Sequence, residues 1–582
     1  MIREMVDVIR HRGPDSEGYF TDDNIMLGSC RLSIIDLYGG NQPVFNEDGS
    51  IVVIHNGEIY NFKELRRRLE LSGHRFSTGT DTETIIHSYE DGGIECVKEF
   101  IGMFAFALWD SNKQTLFLAR DHVGIKPLYY CLRNGVLVFG SEIKALLRFG
   151  IKPRLNLQAV YDHLNLRFLP NSETLFRGIN KLMPGTVLSI ANRDPTIQLN
   201  RYWNVEDATA ITNGFDRSSL EQILARSISR HLISDVEVGI YLSGGLDSGC
   251  VAALAQRVCK KPIKTFCMGF GEETDELEEA KRVAEYLGTD HRDVIVTPNF
   301  GRDFSKVIWH ADAPKRNLYP YYLSKFARKY VKVCLTGLGG DELFAGYTWR
   351  YDCFQQFPKE SILWDADKKS EIYLSTYKMD LLPRDEGRKM IGPLLAPYVR
   401  DSFSSFVRPF FSNELPTMTQ VMVADFSLKL PHDFLAVEDC TSSANGLESR
   451  TPLLDQELIH YTFSVPFDSK VKNGIGKQML LSVVRDDLQS ESLSKRKQGF
   501  GPNPFDVFVR DLREIAKQEL PDGPCVKVGL FDRNFINDVL AAHPDRSMIT
   551  QYNKIWNMVA FDAWYHMYFE LEFRELCSLY EI

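Results

Sequence analysis

The chain has 582 residues, is 44% hydrophobic and 25% charged, and carries a net charge of −10. That length supports two or more domains with cores of their own, the composition is that of an ordinary globular protein, and the acidic balance argues against a broad nucleic-acid-binding face. Eleven cysteines run from Cys30 to Cys577 without a CxxC pair, which excludes a zinc knuckle or a thioredoxin-like site and fits free thiols in a reducing compartment. No apolar run approaches the ~18 residues of a membrane span. The opening MIREMVDVIRHRGPD has no apolar signal-peptide core. The expected location is the cytoplasm, with neither membrane nor nucleic acid as partner.

The first two hundred residues read as short strands at 51–54, 104–109, 115–119, 129–132 and 136–139, with helical periodicity at 61–71 and 82–89. Turns such as DSNK at 110–113 and RNG at 133–135 leave no room for crossover helices, so these strands pair antiparallel in an α+β domain. The pattern fades over 203–217, which reads as a linker. Beyond it, strands at 236–242, 263–268, 292–296 and 331–335 alternate with helices at 248–260 and 275–287 and with a helical stretch up to 330. Alternation of this kind implies right-handed crossovers and a parallel sheet with helices on both faces. Mostly helices follow residue 346.

Ligands of open parallel sheets sit beyond the carboxyl ends of the strands. Three strands here end in unusual loops: SGGLDS at 243–248, CMGF at 267–270 and TGLGGDELFAGY at 336–347. In SGGLDS a glycine turn leads straight into a helix, so backbone N–H groups and the positive helix end face one point, as in a phosphate cradle. No lysine follows the glycines, as it would in a P-loop. Asp247 stands there instead, and a carboxylate beside phosphates calls for Mg²⁺ between them. The plainer alternative is a strand-to-helix turn with a serine cap; the run of six residues favours the nucleotide.

Together these loops resemble the glutamine-dependent asparagine synthetase family. The resemblance continues in GLESRTPLLD at 446–455 and KRKQGF at 495–500. Upstream it includes HRGPD at 11–15, RLSIIDL at 31–37, NGEIYN at 56–61, TGTDTE at 78–83, FAFALWD at 104–110 and LARDHVGIKPLYY at 118–130. It implies an αββα sandwich of the N-terminal-nucleophile type over 1–205, a glutamine amidotransferase domain. An α/β parallel-sheet domain of the ATP-pyrophosphatase type with a helical C-terminal part would follow over 216–582. The implied reaction converts aspartate, ATP and glutamine or ammonia to asparagine, AMP and pyrophosphate, with ammonia passing through a buried channel. A homodimer is compatible with it.

By the same resemblance, Ser243, Gly244, Gly245, Leu246 and Ser248 would hold the phosphates. Asp247 and Asp341 would hold Mg²⁺, and Lys497 would stabilise charge near the phosphorus. Tyr241, Met268, Thr336 and Gly337 would line the adenosine pocket. In the first domain Arg31 would take the glutamine carboxylate, Glu58 and Asp81 its ammonium, and Asn56 and Gly57 would form an oxyanion hole. Each has a plainer reading: Lys497 as a solvated loop cation, Met268 as core filler, Arg31 and Asp81 as a structural ion pair.

Two positions depart from the family. Its nucleophile is an N-terminal cysteine whose α-amine assists the chemistry; this chain enters the pattern shortly before HRGPD, roughly seventeen residues in by alignment, and Cys30 has no free α-amine. As written, the chain is expected not to hydrolyse glutamine, through an upstream start or an ammonia-dependent habit. Leu338 stands where relatives carry an acid linked to acyl-adenylate formation. Two other readings therefore stay open: an amidotransferase for a different carboxylate, in secondary metabolism or on a cell-envelope precursor, and a nucleotide-binding pseudoenzyme.

Overall fold

The computed structural model describes residues 1–210, 214–272, 275–298, 300–316, 319–355, 364–376, 384–399, 402–488 and 504–571. Its N-terminal part holds β1 (Ser16–Thr21), β2 (Met26–Arg31), β3 (Val44–Phe45), β4 (Ile51–Ile59), β5 (Gly102–Asp110), β6 (Thr115–Arg120), β7 (Tyr129–Arg133), β8 (Val136–Gly140), β9 (Asn180–Lys181), β10 (Thr186–Ala191) and β11 (Asp194–Arg201). One antiparallel sheet runs β11-β10-β6-β5-β4-β3; a β1-β2 pair and a β8-β7-β9 sheet lie against it.

The period-two pattern of β5 explains the layering. Phe104, Phe106 and Leu108 share a core with α2 (Phe62–Ser72) and α3 (Thr82–Gly92), whereas Ala105, Ala107 and Trp109 face Leu27, Leu128 and Tyr130 of the smaller sheets. Outside those lie α1 (Ile2–Asp7), which packs on β2, and α4 (Ile143–Arg148), which packs on β8. This is the αββα sandwich expected. The strand expected at 51–54 runs on to Ile59 because its pairing with β5 continues to Ile59–Gly102, so Asn56, Gly57 and Glu58 lie in a strand. After α5 (Leu157–Leu166) and β11, the linker stretch contains a short 3₁₀ turn, Val205–Ala208.

The second half follows the alternation read from sequence: α6 (Arg217–His231), β12 (Val238–Tyr241), α7 (Leu246–Val258), β13 (Lys264–Gly269), α8 (Leu277–Leu287), β14 (Asp290–Ile295), α9 (Phe300–Ala311), α10 (Tyr319–Ala327) and β15 (Val333–Leu335). A further three-residue strand, β16 (Glu448–Arg450), completes a parallel sheet of order β14-β13-β12-β15-β16. Period two again sorts the faces. Ile240, Cys267, Val333 and Leu335 pack with α6 and α7, while Phe266, Met268 and Cys334 pack with α9 and α10. Among the described residues no helix is long and apolar enough to cross a membrane.

The halves do not hang apart on the linker. One continuous core contains Ile59 and Phe104 of the first and Ile240 and Leu454 of the second. Buried charges cross the same junction: Arg12 bonds Glu142 at 3.0 Å and Asp439 at 2.7 Å, and Lys144 bridges Glu142 and Asp312.

Glu438, next to Asp439, supplies a pH signature. Burial pushes its carboxyl up to about 7, although Ser449 Oγ donates to it at 2.7 Å. A carboxyl whose folded value is raised contributes stability below its unfolded value of about 4.3, and that contribution is lost as pH rises through 7. Glu438→Gln should therefore flatten the stability profile, removing about 2 kcal/mol of the decline between pH 5.5 and 7.5. Denaturant titrations at the two pH values check this; parallel profiles for variant and wild type would refute it.

Candidate active sites

The strand order reverses between β12, which leads outward to β13 and β14, and β15, which leads to β16. Such a switch point opens a crevice at the carboxyl ends of the strands. Two of the three loops singled out in sequence, 243–248 and 336–347, enter it. Ser248 Oγ lies 2.9 Å from Ser243 Oγ and accepts from Ser243 N at 3.1 Å, and Gly245 N donates to Ser243 Oγ at 3.2 Å. The loop is thus folded upon itself, and Gly245, not a serine, precedes the first turn of α7. The facing loop is tight against it. A Cβ at Gly337 would stand 2.8 Å from Ser248 N, and one at Gly340 would stand 2.5 Å from the Asp247 carboxylate.

Lys477 draws these loops to one point. Its ammonium lies 2.6 Å from Asp247 Oδ2 and 2.6 Å from Asp341 Oδ1. The backbone of Lys477 is left-handed, at φ 58°, and Gly346 leaves room beside it, since a Cβ there would meet both Asp341 and the lysine stem. Asp247 Oδ1 is buried without a hydrogen-bond partner in the described structure. A pair of converging carboxylates with an unsatisfied oxygen fits a hard divalent cation.

Around this point Tyr241 closes β12, Leu246 opens α7, and Gly244 abuts Glu279 on α8. Thr336 N donates to Arg450 O at 2.9 Å, and Leu338 N to Thr336 Oγ1 at 3.3 Å. The Leu338 side chain packs on the continuous core. Met268 is buried against α9 and α10. Lys497 lies outside the described residues. Glu342, beside Asp341, is buried, takes a 2.5 Å hydrogen bond from Tyr347 Oη, and is pushed up to about 7 by desolvation.

The second site is a cavity of about 680 Å³ in the N-terminal domain, walled by Arg31, Asn56, Gly57, Glu58 and Asp81 together. Arg31 reaches it from the end of β2, its guanidinium held by the carbonyls of Ile35 and Asp36 at 2.7 and 2.9 Å. Burial lowers its pKa from the ordinary value. Asn56 Nδ2 is buried without a partner, a free donor at the wall. Gly57 has φ 137°, and a Cβ would strike Met103 O, so only glycine fits. Asp81 Oδ2 accepts from Ile59 N at 2.8 Å, tying α3 to β4. Cys30 also touches the cavity, but its thiol donates to Ile9 O at 3.3 Å and burial pushes its pKa up to about 11. A thiol so held and so little ionised is a poor nucleophile.

Glu58 links the two sites. Burial raises its carboxyl well above the usual range, opposed by Arg450, whose guanidinium lies 3.0 Å away. Arg450 is fully buried and also bonds Glu448 at 2.8 Å and the carbonyls of His231 and Ile233 at 2.9 and 2.7 Å. Its own carbonyl supports Thr336. One residue therefore carries the Thr336 loop on its backbone and the cavity carboxylate on its side chain. Neither Lys477 nor Arg450 was assigned a role by sequence. Arg450 sits within the GLESRTPLLD motif, whereas Lys477 lies in NGIGKQML, which bears no spacing signal.

Comparison with known proteins assigns two stretches of the chain to two families. The glutamine amidotransferase domain family matches residues 1–203, and the asparagine synthase family matches residues 219–566. The chain belongs to the asparagine synthase family. It is a carbon–nitrogen ligase. Over 98% of its length it is 30% identical to asparagine synthetase [glutamine-hydrolyzing] 1 of Bacillus subtilis, covering 94% of that protein. A second B. subtilis protein, asparagine synthetase [glutamine-hydrolyzing] 2, is 33% identical over 84% of this chain and 67% of its own. A fungal relative, amidase chyE of Penicillium rubens, is 29% identical over 89% of this chain and 87% of its own.

Proposed function

We propose that this ligase converts aspartate to asparagine with cleavage of ATP to AMP and pyrophosphate. A carboxylate does not react with ammonia, because its carbonyl is deactivated and it has no leaving group. Attack of a carboxylate oxygen on the α-phosphorus of ATP forms an acyl-adenylate and expels pyrophosphate. Ammonia then attacks the acyl carbon, and AMP departs. Ser243, Gly244, Gly245, Leu246 and Ser248 would cradle the phosphates at the positive end of α7. Tyr241, Met268, Thr336 and Gly337 would flank adenosine, and Lys497 would offset charge at the phosphorus. Asp247 and Asp341 would hold Mg²⁺, which would neutralise charge on the departing pyrophosphate. Lys477 keeps those two carboxylates side by side.

In the cavity, Arg31 would take the α-carboxylate of glutamine and Glu58 and Asp81 its ammonium. The unpartnered Asn56 amide and the Gly57 N–H would face the developing oxyanion. Among the described cysteines only Cys30 touches this cavity, with its thiol engaged. A polypeptide of residues 1–582 should accordingly take its nitrogen from ammonium. The observation that carries the reading is the joining of two sites through Arg450. The test supplies purified chain with Mg-ATP, aspartate and either ammonium or amide-labelled glutamine. Equal AMP and pyrophosphate with ammonium are expected; label from glutamine in the product would overturn the nitrogen assignment.

Leu338 favours a second reading, in which the acceptor is another carboxylate. Its side chain places apolar surface beside Thr336 and Gly337 where an acid is the family's habit. If aspartate is the acceptor, Leu338→Glu should raise aspartate-dependent pyrophosphate formation. If it is not, the variant should bury an unpaired charge beside the phosphates and lose nucleotide affinity. Wild-type turnover indifferent to aspartate would leave the ligase class without asparagine as product.

A further inference from the structure

Four side chains outside both sites converge on one point of the N-terminal domain. Glu47 follows β3, His74 follows α2, and His87 and Glu90 lie on α3; one ligand atom from each falls within 4.8 Å of all the others. Nδ1 of His74 and Nδ1 of His87 face the same oxygen, Glu90 Oε2, at 3.3 and 2.7 Å. Glu47 Oε2 stands 3.9 Å from His87 Nδ1. The two imidazoles are tilted against each other with centroids 4.8 Å apart.

Three of the four groups are also hydrogen-bonded on the far side, and the fourth, His87, faces a fixed carboxylate there. His87 Nε2 points to Glu83 Oε1 at 3.7 Å, and that carboxylate is itself fixed by the backbone N–H and hydroxyl groups of Ser77 and Thr78. His74 Nε2 meets Asp91 Oδ1 at 2.9 Å. Glu90 Oε1 accepts from Asn46 Nδ2 at 2.8 Å, and Glu47 Oε1 from Arg75 N at 3.0 Å. At His74, an outer nitrogen that gives its proton to Asp91 turns the lone pair of the other nitrogen inward. Metal-ligating histidines are oriented in this way.

We propose that Glu47, His74, His87 and Glu90 bind a divalent transition ion of the zinc class. Two imidazoles and two carboxylates suit zinc better than magnesium, which prefers oxygen and keeps its waters. Bonds of about 2.0–2.2 Å put tetrahedral ligand atoms roughly 3.4 Å apart, so the cluster closes only modestly on the ion. Side-chain exposures of 44% for Glu47, 16% for His74 and 20% for Glu90 leave a route in from solvent, while His87 is fully buried. The ion would tie the turn after β3 and the end of α2 to α3, the helix preceded by Asp81, which holds β4 at the cavity.

The test uses the full chain, freed of metal by chelator and kept without nucleotide. Zinc is titrated against a chromophoric competitor, and Co²⁺ is followed by its visible four-coordinate bands. One equivalent of zinc and a raised Tm are expected. His74→Ala and Glu47→Ala, both at partly exposed positions, should each weaken zinc binding at least ~10-fold and remove the cobalt bands. Failure to take up zinc would overturn the proposal. So would binding by both folded variants equal to that of the wild type, which would place the ion elsewhere.

Discussion

Asp247→Ala should reduce pyrophosphate release at least ~1000-fold, about 4 kcal/mol of barrier, while leaving the unfolding transition nearly unchanged. The side chain sits in the first turn of α7 and contributes little to the core. Its value lies in geometry: one oxygen meets Lys477, and the other is buried with no hydrogen-bond partner. Removing it would deprive the loop of the proposed cation ligand and leave Lys477 paired with Asp341 alone. Steady-state pyrophosphate assays beside thermal melts check the expectation. A loss below tenfold would reduce Asp247 to a turn residue.

The second large effect is structural and functional at once. Arg450→Met should cost about 3–5 kcal/mol of stability, because it strands buried carboxylates at Glu58 and Glu448. Pairing it with Glu58→Gln should restore part of the loss, since the double variant leaves one fewer uncompensated charge. The single variant should also weaken ligand binding at the cavity and disturb nucleotide binding together, because the guanidinium anchors both Glu58 and the backbone whose carbonyl supports Thr336. Denaturant unfolding and two binding titrations read all three quantities. A stability loss below about 1 kcal/mol would mean the guanidinium is replaceable by apolar filling.

Local grammar made most of the architecture legible. The β-like run at 104–109 foretold a strand in an antiparallel sheet, and the change to strand–helix alternation after the linker foretold the parallel sheet. The glycine loops located the crevice, because a loop that close to another backbone tolerates no side chain at Gly337 or Gly340. The three-residue strand at Glu448–Arg450 was hidden: it is too short for a period and lies more than a hundred residues beyond its neighbour β15. Lys477 was hidden for the same reason, since an isolated lysine shows its role only when Asp247 and Asp341 are brought to it. The cluster of Glu47, His74, His87 and Glu90 lacks the short regular spacing that marks metal sites on a single element. The plainer alternative of a serine cap on α7 is set aside, because Gly245 holds the cap position and Ser248 turns back to Ser243.

The continuous core has a consequence for how the molecule can be taken apart. Because Ile59 and Phe104 share buried contacts with the same cluster as Ile240 and Leu454, cutting at the linker would lay bare apolar surface on both fragments. The halves are therefore not interchangeable modules. They should melt in a single cooperative transition, and a graft of one half onto a foreign partner would need its interface rebuilt residue by residue. If ammonia formed in one half were used in the other, the same packing that forbids modularity would also shield it from bulk water.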